Sequence, residues 1–225
     1  NVNGVPTLIL NNGRVATYVS GSGTTDLVFT YTVSAGDDVL ALNYQDTSSL
    51  VLSNNSTVTL VSTGNNADTT LPPPTGTGSM PSANTVVIDT SIPSISSVTA
   101  LNQNGTYVKD GKLYITVTVS EAVIVEGVPT LALNTGNSTN GSATYISGSG
   151  TNTLTFEYTV RPGDKVADLN YVSTNSLTGG TIKDAANNVA TVTLPETTAA
   201  TSLGGAKDIA LDTTPKVASI TTTTA

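Results

Sequence analysis

The sequence predicts an all-β protein that is built from a repeat of domain size. Three observations lead to this prediction: period-two alternation of apolar residues, a composition dominated by Thr, Ser, Asn, Gly and Val, and internal similarity at a spacing of about 123 residues. Thr and Val favour the pleated sheet, whereas Gly and Asn favour turns. Long helices are therefore not expected.

The repeat pairs segments from the two halves of the chain. Gly4-Val5-Pro6-Thr7-Leu8 matches Gly127-Val128-Pro129-Thr130-Leu131, and 18–50 matches 145–177 with a Ser-Gly-Ser-Gly-Thr motif in both copies. The second copy carries about four extra residues around Asn137–Asn140, which predicts a loop of variable length. We interpret residues 1–88 as a repeat that lacks its opening strands, 89–93 as a linker, 94–211 as a complete repeat, and 212–225 as a linker and the opening strand of a further repeat.

Alternation predicts the strands of each copy in order. Leu113 to Val119 and Leu154 to Val160 are apolar at every second position, and Leu27 to Val33 repeat the second of these patterns. Further strands are predicted near 95–100, 130–133, 143–147, 169–172, 189–194 and 208–211. Seven or more short strands in about 120 residues, separated by Gly, Asn and Pro turns, predict tandem immunoglobulin-like β-sandwich repeats.

The composition excludes several classes of protein. The chain has 225 residues, a formal net charge of −8, and no His, Cys or Trp, so Ser-His and Cys-His catalysis and thiolate zinc sites are excluded. Its 16 acidic residues against 8 basic ones argue against a nucleic-acid partner. No apolar run in the sequence approaches the roughly 18 residues of a membrane helix, so no membrane span is expected in this segment. The adjacent acids Asp37 and Asp38 have no catalytic partner, so we expect no enzyme.

The repeat resembles the bacterial Ig-like repeats of very large surface proteins, namely adhesins, biofilm proteins and surface-layer proteins. The residues that carry the resemblance are the Asp212-Thr213-Thr214-Pro215 junction, 119–123, 127–131, 143–151 and Ile182-Lys183-Asp184-Ala185-Ala186-Asn187. This resemblance implies an extracellular, cell-surface structural module that acts as a spacer or assembly unit in an adhesin, a surface layer or a filament. The first copy departs after Leu50, since 61–65 replace the Asp184 motif.

Carboxylates at the ends of the copies form the candidate metal sites. Antiparallel alternation of the strands brings Asp89 and Glu121 to one pole of the second copy, and the repeat places the turn of Asp37 at the junction that carries them. Hard oxygen ligands suit Ca²⁺, and the resemblance implies calcium at such linkers. The alternative is that these acids only form turns. The seven candidate ligands are Asp37, Asp38, Asp89, Asp110, Glu121, Asp164 and Asp212.

Two further functions remain open from the sequence. In one, the variable loop 133–141 contacts a glycan or a receptor, although most Tyr and Phe residues occupy strand positions, where packing is the expected role. In the other, Lys216–Ile220 form an opening strand that adds to the open sheet edge of an adjacent copy and builds a filament. The expected partners are therefore neighbouring repeats of the same polypeptide or adjacent copies.

Overall fold

A computed structural model of the protein describes residues 1–215. Over this range the chain is all-β, since its only helices are two single turns of four residues each. The chain divides into two compact units, Asn1–Ser91 and a second unit that begins at Ile92. This division lies within the stretch 89–93.

The first unit consists of short strands with one helical turn. Its main sheet has four antiparallel strands in the order β4-β3-β2-β5, and β1 pairs separately with β6. The elements are β1 (Val2–Asn3), β2 (Thr7–Ile9), β3 (Val15–Ser20), β4 (Val28–Thr30), β5 (Leu50–Val51), β6 (Thr57–Val58) and α1 (Met80–Ala83).

The second unit has longer strands and an eight-stranded sheet. The order in this sheet is β14-β10-β11-β12-β9-β16, with β15 paired to β10 and β7 paired to β9. A three-stranded sheet, β13-β17-β8, contains the parallel pair β17 and β8. The elements are β7 (Ile95–Ala100), β8 (Gly105–Tyr107), β9 (Lys112–Glu126), β10 (Thr130–Asn134), β11 (Gly141–Ser147), β12 (Thr151–Thr159), β13 (Lys165–Val166), β14 (Asn170–Tyr171), β15 (Leu177–Thr178), β16 (Thr181–Lys183), α2 (Leu203–Ala206) and β17 (Ile209–Asp212).

Alternating side chains of β9 and β12 form the centre of the second unit's core. The apolar residues of β9 from Leu113 to Val119 are at most 2% exposed, and Leu154 and Phe156 of β12 are fully buried. The same aromatic pair occurs in both units: Tyr145 meets Phe156 edge-on at 5.8 Å, and Tyr18 meets Phe29 edge-on at 5.9 Å. The predicted alternation is therefore confirmed for these strands.

The repeated Ser-Gly-Ser-Gly-Thr motif forms the turn after β3 and after β11. Gly21 and Gly148 have φ of 107° and 115°, and a Cβ atom on either would lie within 2.1 Å of a backbone oxygen across the turn. Each turn follows a register shift, between Tyr18 and Ser20 or between Tyr145 and Ser147. The motif is repeated because this bulged turn requires glycine.

Three predicted strands are shorter or absent. The segment 189–194 forms only single bridges to two different partners, an antiparallel one from Val189 to Lys183 and a parallel one from Thr191 to Ser94. The predicted strand at 169–172 is confined to β14, and the one at 27–33 is confined to β4. In the part of the chain that the structure describes, β4 pairs along one edge only.

Candidate functional site

Asp37 lies buried in a turn at the end of the first unit. Its Oδ2 accepts a hydrogen bond of 2.5 Å from the Tyr31 hydroxyl and one of 2.7 Å from the Ser34 N–H, and its Oδ1 lies 2.5 Å from Arg14 Nε. Asp37 is 2% exposed. The hydrogen bond from Tyr31 and the Ser34 N–H, together with Arg14, hold the pKa of Asp37 below its usual range despite burial.

Asp164 occupies the equivalent turn of the second unit. Its carboxylate accepts hydrogen bonds from the Tyr158 hydroxyl, from the Arg161 N–H at 2.7 Å, and from Asn137 Nδ2 at 3.3 Å. Burial of this residue raises its pKa, but the hydrogen bonds from Tyr158 and Arg161 outweigh burial, and the pKa of Asp164 is lowered. Oxygens that already accept O–H and N–H donors favour the turn interpretation over ligation of a cation.

In each unit, a threonine near the end of the unit is hydrogen-bonded to this turn. The site prediction did not include these threonines. Thr90 Oγ1 accepts a hydrogen bond of 2.9 Å from the Gly36 N–H, and Thr213 Oγ1 accepts one of 2.9 Å from the Gly163 N–H. The Thr213 hydroxyl donates to the Asp164 carbonyl at 3.0 Å. We call these contacts the exit clamp. The repeated Asp-Thr junction was the signal in the sequence that could have revealed it.

Asp38 reinforces the exit clamp of the first unit. It accepts hydrogen bonds from the Thr90 N–H at 2.7 Å and from Ser91 Oγ at 3.1 Å. The Thr90 N–H is the main reason that the pKa of Asp38 is lowered. In the second unit Lys165 takes this position and donates to Thr214 Oγ1 at 3.2 Å.

Asp89 and Asp212 make the same local turn in their own units. Asp89 Oδ1 accepts from the Ser91 N–H at 3.0 Å, and Asp212 Oδ1 accepts from the Thr214 N–H at 3.0 Å. Asp110 has a φ of 70° and lies 3.5 Å from Lys109 Nζ in an exposed ion pair. Lys109 and Asp212 line one groove at this end of the second unit. These contacts are those of turn residues.

Glu121 meets Asp184 within the second unit. One carboxylate oxygen of Glu121 and one of Asp184 lie within 4.8 Å of each other. Asp184 is 2% exposed and accepts hydrogen bonds from the Asn188 N–H at 2.9 Å and from Asn188 Nδ2 at 2.8 Å. Asp184 was not among the predicted ligands, although its motif carried the resemblance.

The Glu121–Asp184 pair has the donor chemistry that a calcium ion takes. Two oxygens at about 2.3–2.6 Å from one ion can be at most about 5 Å apart, and this pair satisfies that limit. Calcium takes six to eight oxygen ligands, so this pair would supply only part of a coordination shell. Asp89, which was predicted as a ligand together with Glu121, belongs to the first unit, whereas Glu121 and Asp184 belong to the second. Calcium binding stays a prediction.

The variable loop contacts the chain's own turn. Asn137 Nδ2 donates to the Pro162 carbonyl at 3.1 Å, and the Thr139 carbonyl accepts from Arg161 Nη2 at 2.8 Å. The extra residues of the second copy therefore contribute to the surroundings of Asp164.

Comparisons with protein-family models, with curated protein sequences and with solved structures found no match. Across residues 1–215, no helix has the length and apolar character that crossing a membrane requires.

Proposed function

We propose that this chain is part of an extracellular structural array, in which tandem Ig-like β-sandwich copies act as a spacer or assembly unit of a bacterial-type adhesin, surface layer or filament. The array transmits position and force, and it performs no chemistry. The resemblance of its repeat motifs supports the bacterial surface location.

The observation that carries the proposal is the exit clamp. Each unit ends by binding the threonine of its Asp-Thr junction to its own Gly-Asp turn, with the same N–H···Oγ1 distance of 2.9 Å in both units. Adjoining backbone is paired in both: Val39 bridges Ile88, and Val166 pairs with Leu211. A chain that leaves every copy from the same fixed point suits an array of similar copies.

The shared core of the second unit supports the sandwich arrangement. Ile209 and Leu211 of β17 belong to the same hydrophobic cluster as Leu113 of β9 and Phe156 of β12, so the two sheets bury their apolar faces together. The exposed aromatic surface that a sugar-binding module needs is reduced, because Tyr158 and Tyr171 are at most 3% exposed. We therefore prefer a structural role to the glycan- or receptor-binding alternative.

Single-molecule pulling on the full chain tests the mechanical part of the proposal. Unfolding of the second unit should give a distinct force peak with a length gain of about 400 Å, the extended length of its chain. The variant Thr213→Val should lower the force of this peak, whereas the matched control Thr106→Val lies outside the clamp and should not. A chain that extends without a force peak would contradict a load-bearing role.

Antibody labelling of intact source cells tests the location. Labelling before lysis is expected, and labelling only after lysis would refute the surface assignment.

A glycan panel tests the alternative: binding that is lost when 137–140 are deleted, in a variant that keeps its melting transition, would favour a ligand-binding module.

A further inference from the structure

Strands β2 and β3 of the first unit present one face to the core and one face to solvent. The core side carries Leu8 and Ala16, which pack in the hydrophobic cluster of this unit. Successive side chains of a strand point to opposite faces, so the neighbouring pairs lie on the solvent side. These outer pairs are Thr7 with Thr17 and Ile9 with Val15.

The two strands continue side by side beyond the threonine pair. The Tyr18 N–H donates to the Pro6 carbonyl at 3.1 Å, and Val5 and Val19 follow on the solvent side, 53% and 57% exposed. Val15, at the opposite end, is 50% exposed. An apolar pair therefore lies on each side of a threonine pair. We call this surface the outer face, and its six residues are Val5, Thr7, Ile9, Val15, Thr17 and Val19.

The exposure of the outer face does not depend on the opening strands of the repeat. The second unit contains those strands, and β9 and β7 extend its sheet beyond the edge of β12. Val128 and Ile146, the counterparts of Val5 and Val19, are nevertheless 61% and 49% exposed there. This side of the sheet is thus an uncovered surface in both copies of the repeat.

The opposite end of this face differs between the copies. In the second unit Ala132 pairs with Ser142, where the first unit has Ile9 paired with Val15. The middle pair consists of two threonines in both units. Only the first unit is therefore apolar at both ends of the face.

The charge beside the face differs as well. In the second unit Glu157 pairs with Thr144 of the middle row and binds Lys112 at 2.8 Å. In the first unit Thr30 takes the place of Glu157 and pairs with Thr17. Residues 1–91 include six acidic residues and one basic residue, and none of these belongs to the outer face. The outer face is thus an uncharged surface on an acidic unit.

We infer that the outer face binds the outer face of a second copy of this chain. A two-fold axis in the plane of the sheet, crossing both strands at the threonine pair, sets Val5 and Val19 of one copy against Ile9 and Val15 of the other. The threonine pairs then meet at the axis, and the two sheets pack face to face with aligned strands. The same operation on the second unit would set its valine and isoleucine against an alanine and a serine.

Charge favours a second copy as the partner. Two chains with a net charge of −8 repel each other, and this repulsion is smallest where neither surface carries a charge. Exposed apolar patches mark interaction sites, and the centres of interfaces are depleted of charged residues. A charged partner would gain no ion pair on the outer face, whereas a second outer face matches it at both apolar ends and at the threonine pair.

The contact is small, which makes it weak between single chains. Five residues along two strands cover roughly 17 Å by 10 Å, whereas a stable interface buries about 800 Å² on each partner. Weak contacts add together when chains are held close, as in the proposed array, and this setting alone rests on the proposed function. The filament contact that the sequence predicts through Lys216–Ile220 concerns a sheet edge and lies outside the described residues.

Sedimentation equilibrium of the full chain, from about 20 μM to about 1 mM, tests the pairing over the range expected for a weak contact. The average mass should rise from 22.7 kDa toward twice this value, and added salt should strengthen the association because it screens the repulsion between acidic chains. Amide chemical shifts should change with concentration at residues 5–9 and 15–19. A chain that remains monomeric throughout overturns the inference.

Substitutions taken from the second unit test the residues of the outer face. Ile9→Ala combined with Val15→Ser should weaken the pairing at least about tenfold, because each contact loses four apolar side chains. Ile146→Ser is the matched control, since it removes an apolar side chain from the equivalent face of the second unit, and it should leave the pairing unchanged. Undiminished pairing in the double variant, or equal loss in the control, contradicts the inference.

The reverse exchange gives a measurement that does not depend on the stability of the first unit. Ala132→Ile, Ser142→Val and Glu157→Thr together give the second unit the same pattern as the outer face. A chain with two such faces should form assemblies larger than dimers at the same concentrations, and assemblies no larger than those of the unmodified chain would count against the inference. None of these outcomes affects the pulling experiment on the second unit, so failure of this inference is distinguishable from failure of the spacer proposal.

Discussion

Asp37 and Asp164, the buried aspartates of the equivalent turns, have nearly the same surroundings in the two units. The arginine next to each aspartate, however, comes from a different part of the chain. In the first unit Arg14, in the loop after β2, contacts Asp37 at 2.5 Å. In the second unit Arg161, in the turn itself, lies 3.6 Å from Asp164. Ser34 holds the position of Arg161 in the first copy.

The donor of the hydrogen bond to the turn's tyrosine differs between the units in the same way. Asn12 Nδ2 donates to the Tyr31 hydroxyl at 3.0 Å from the loop, whereas Arg161 Nε donates to the Tyr158 hydroxyl at 3.2 Å from the turn. The longer loop of the second copy then provides Asn137 to Asp164. The Tyr–Asp pair is the feature that both copies share, whereas the donors that support it come from different positions in each copy.

The largest expected difference between the units is whether each folds alone. Residues 92–215 contain a complete core and should melt in one cooperative transition, whereas 1–91 leave apolar strand edges unpaired and should not. Calorimetry of the two fragments measures this. Comparable transitions in both would show that the assignment of strands to copies is wrong.

Removal of the buried carboxylate should destabilise the second unit strongly. Asp164→Ala leaves the Tyr158 hydroxyl and the Arg161 N–H without their acceptor in a fully buried place, at a cost of about 3 kcal/mol. Urea denaturation of the full chain measures the loss in free energy of unfolding. Residue-resolved amide hydrogen exchange in β12 shows that the loss occurs in the second unit. Asp110→Asn, at an exposed turn, is the control and should change little, because Asn also tolerates the φ of 70° at this position.

Acid should weaken both units through the same turn. The folded pKa values of Asp37, Asp38 and Asp164 lie below the unfolded value of about 3.9, so their contribution to stability is complete above about pH 4 and is lost as pH falls through the folded values. Melting temperatures measured from pH 6 to pH 2 should fall mainly below pH 4. Asp164→Asn should flatten this dependence for the second unit; an unaltered profile would contradict the role of Asp164.

Moving the arginine tests whether the donors are interchangeable. Arg14→Ser should lower the stability of the first unit modestly, because Arg14 is half exposed. Adding Ser34→Arg should restore at least part of the loss, since it copies the arrangement of Arg161. Exchange protection of β3 in the full chain is the measurement, and Thr25→Arg adds the same charge outside this turn as a control. No recovery in the double variant would show that the supporting donors are not equivalent.

Calcium should have the smallest effect and should distinguish the units. The first copy has no acid in the stretch that replaces the Asp184 motif, so any stabilisation by calcium should appear in exchange at β16 and depend on Glu121 and Asp184. Ca²⁺ titrations of the full chain and of its Glu121→Gln variant measure this stabilisation. Equal effects on the chain and on the variant would remove Glu121 from the predicted ligands.

The sequence was sufficient for features that depend on local pattern. Alternation predicted β9 and β12, and Gly, Asn and Pro predicted turns between the strands. The sequence was not sufficient to predict whether the side chains at the turns are buried. An acid after glycine, such as Asp164, is equally consistent with a solvated turn. Its burial depends on Tyr158 and on Asn137, which lie in other segments. Asp184 was passed over as a ligand for the same reason, since its distance to Glu121 is set by the pairing of β16 with β9.

The relocated arginine has a consequence for recombination between the copies in the gene. A crossover between the loop after the second-copy strand β10 and the turn after the first-copy strand β4 would combine Asn137 with Ser34, and the buried aspartate would have no arginine from either source. The reciprocal product would combine Arg14 with Arg161 around one carboxylate. Since a buried carboxylate without its cation is costly, the two products should differ in stability. Exchange of a whole copy should therefore do less damage to stability than exchange of half a copy.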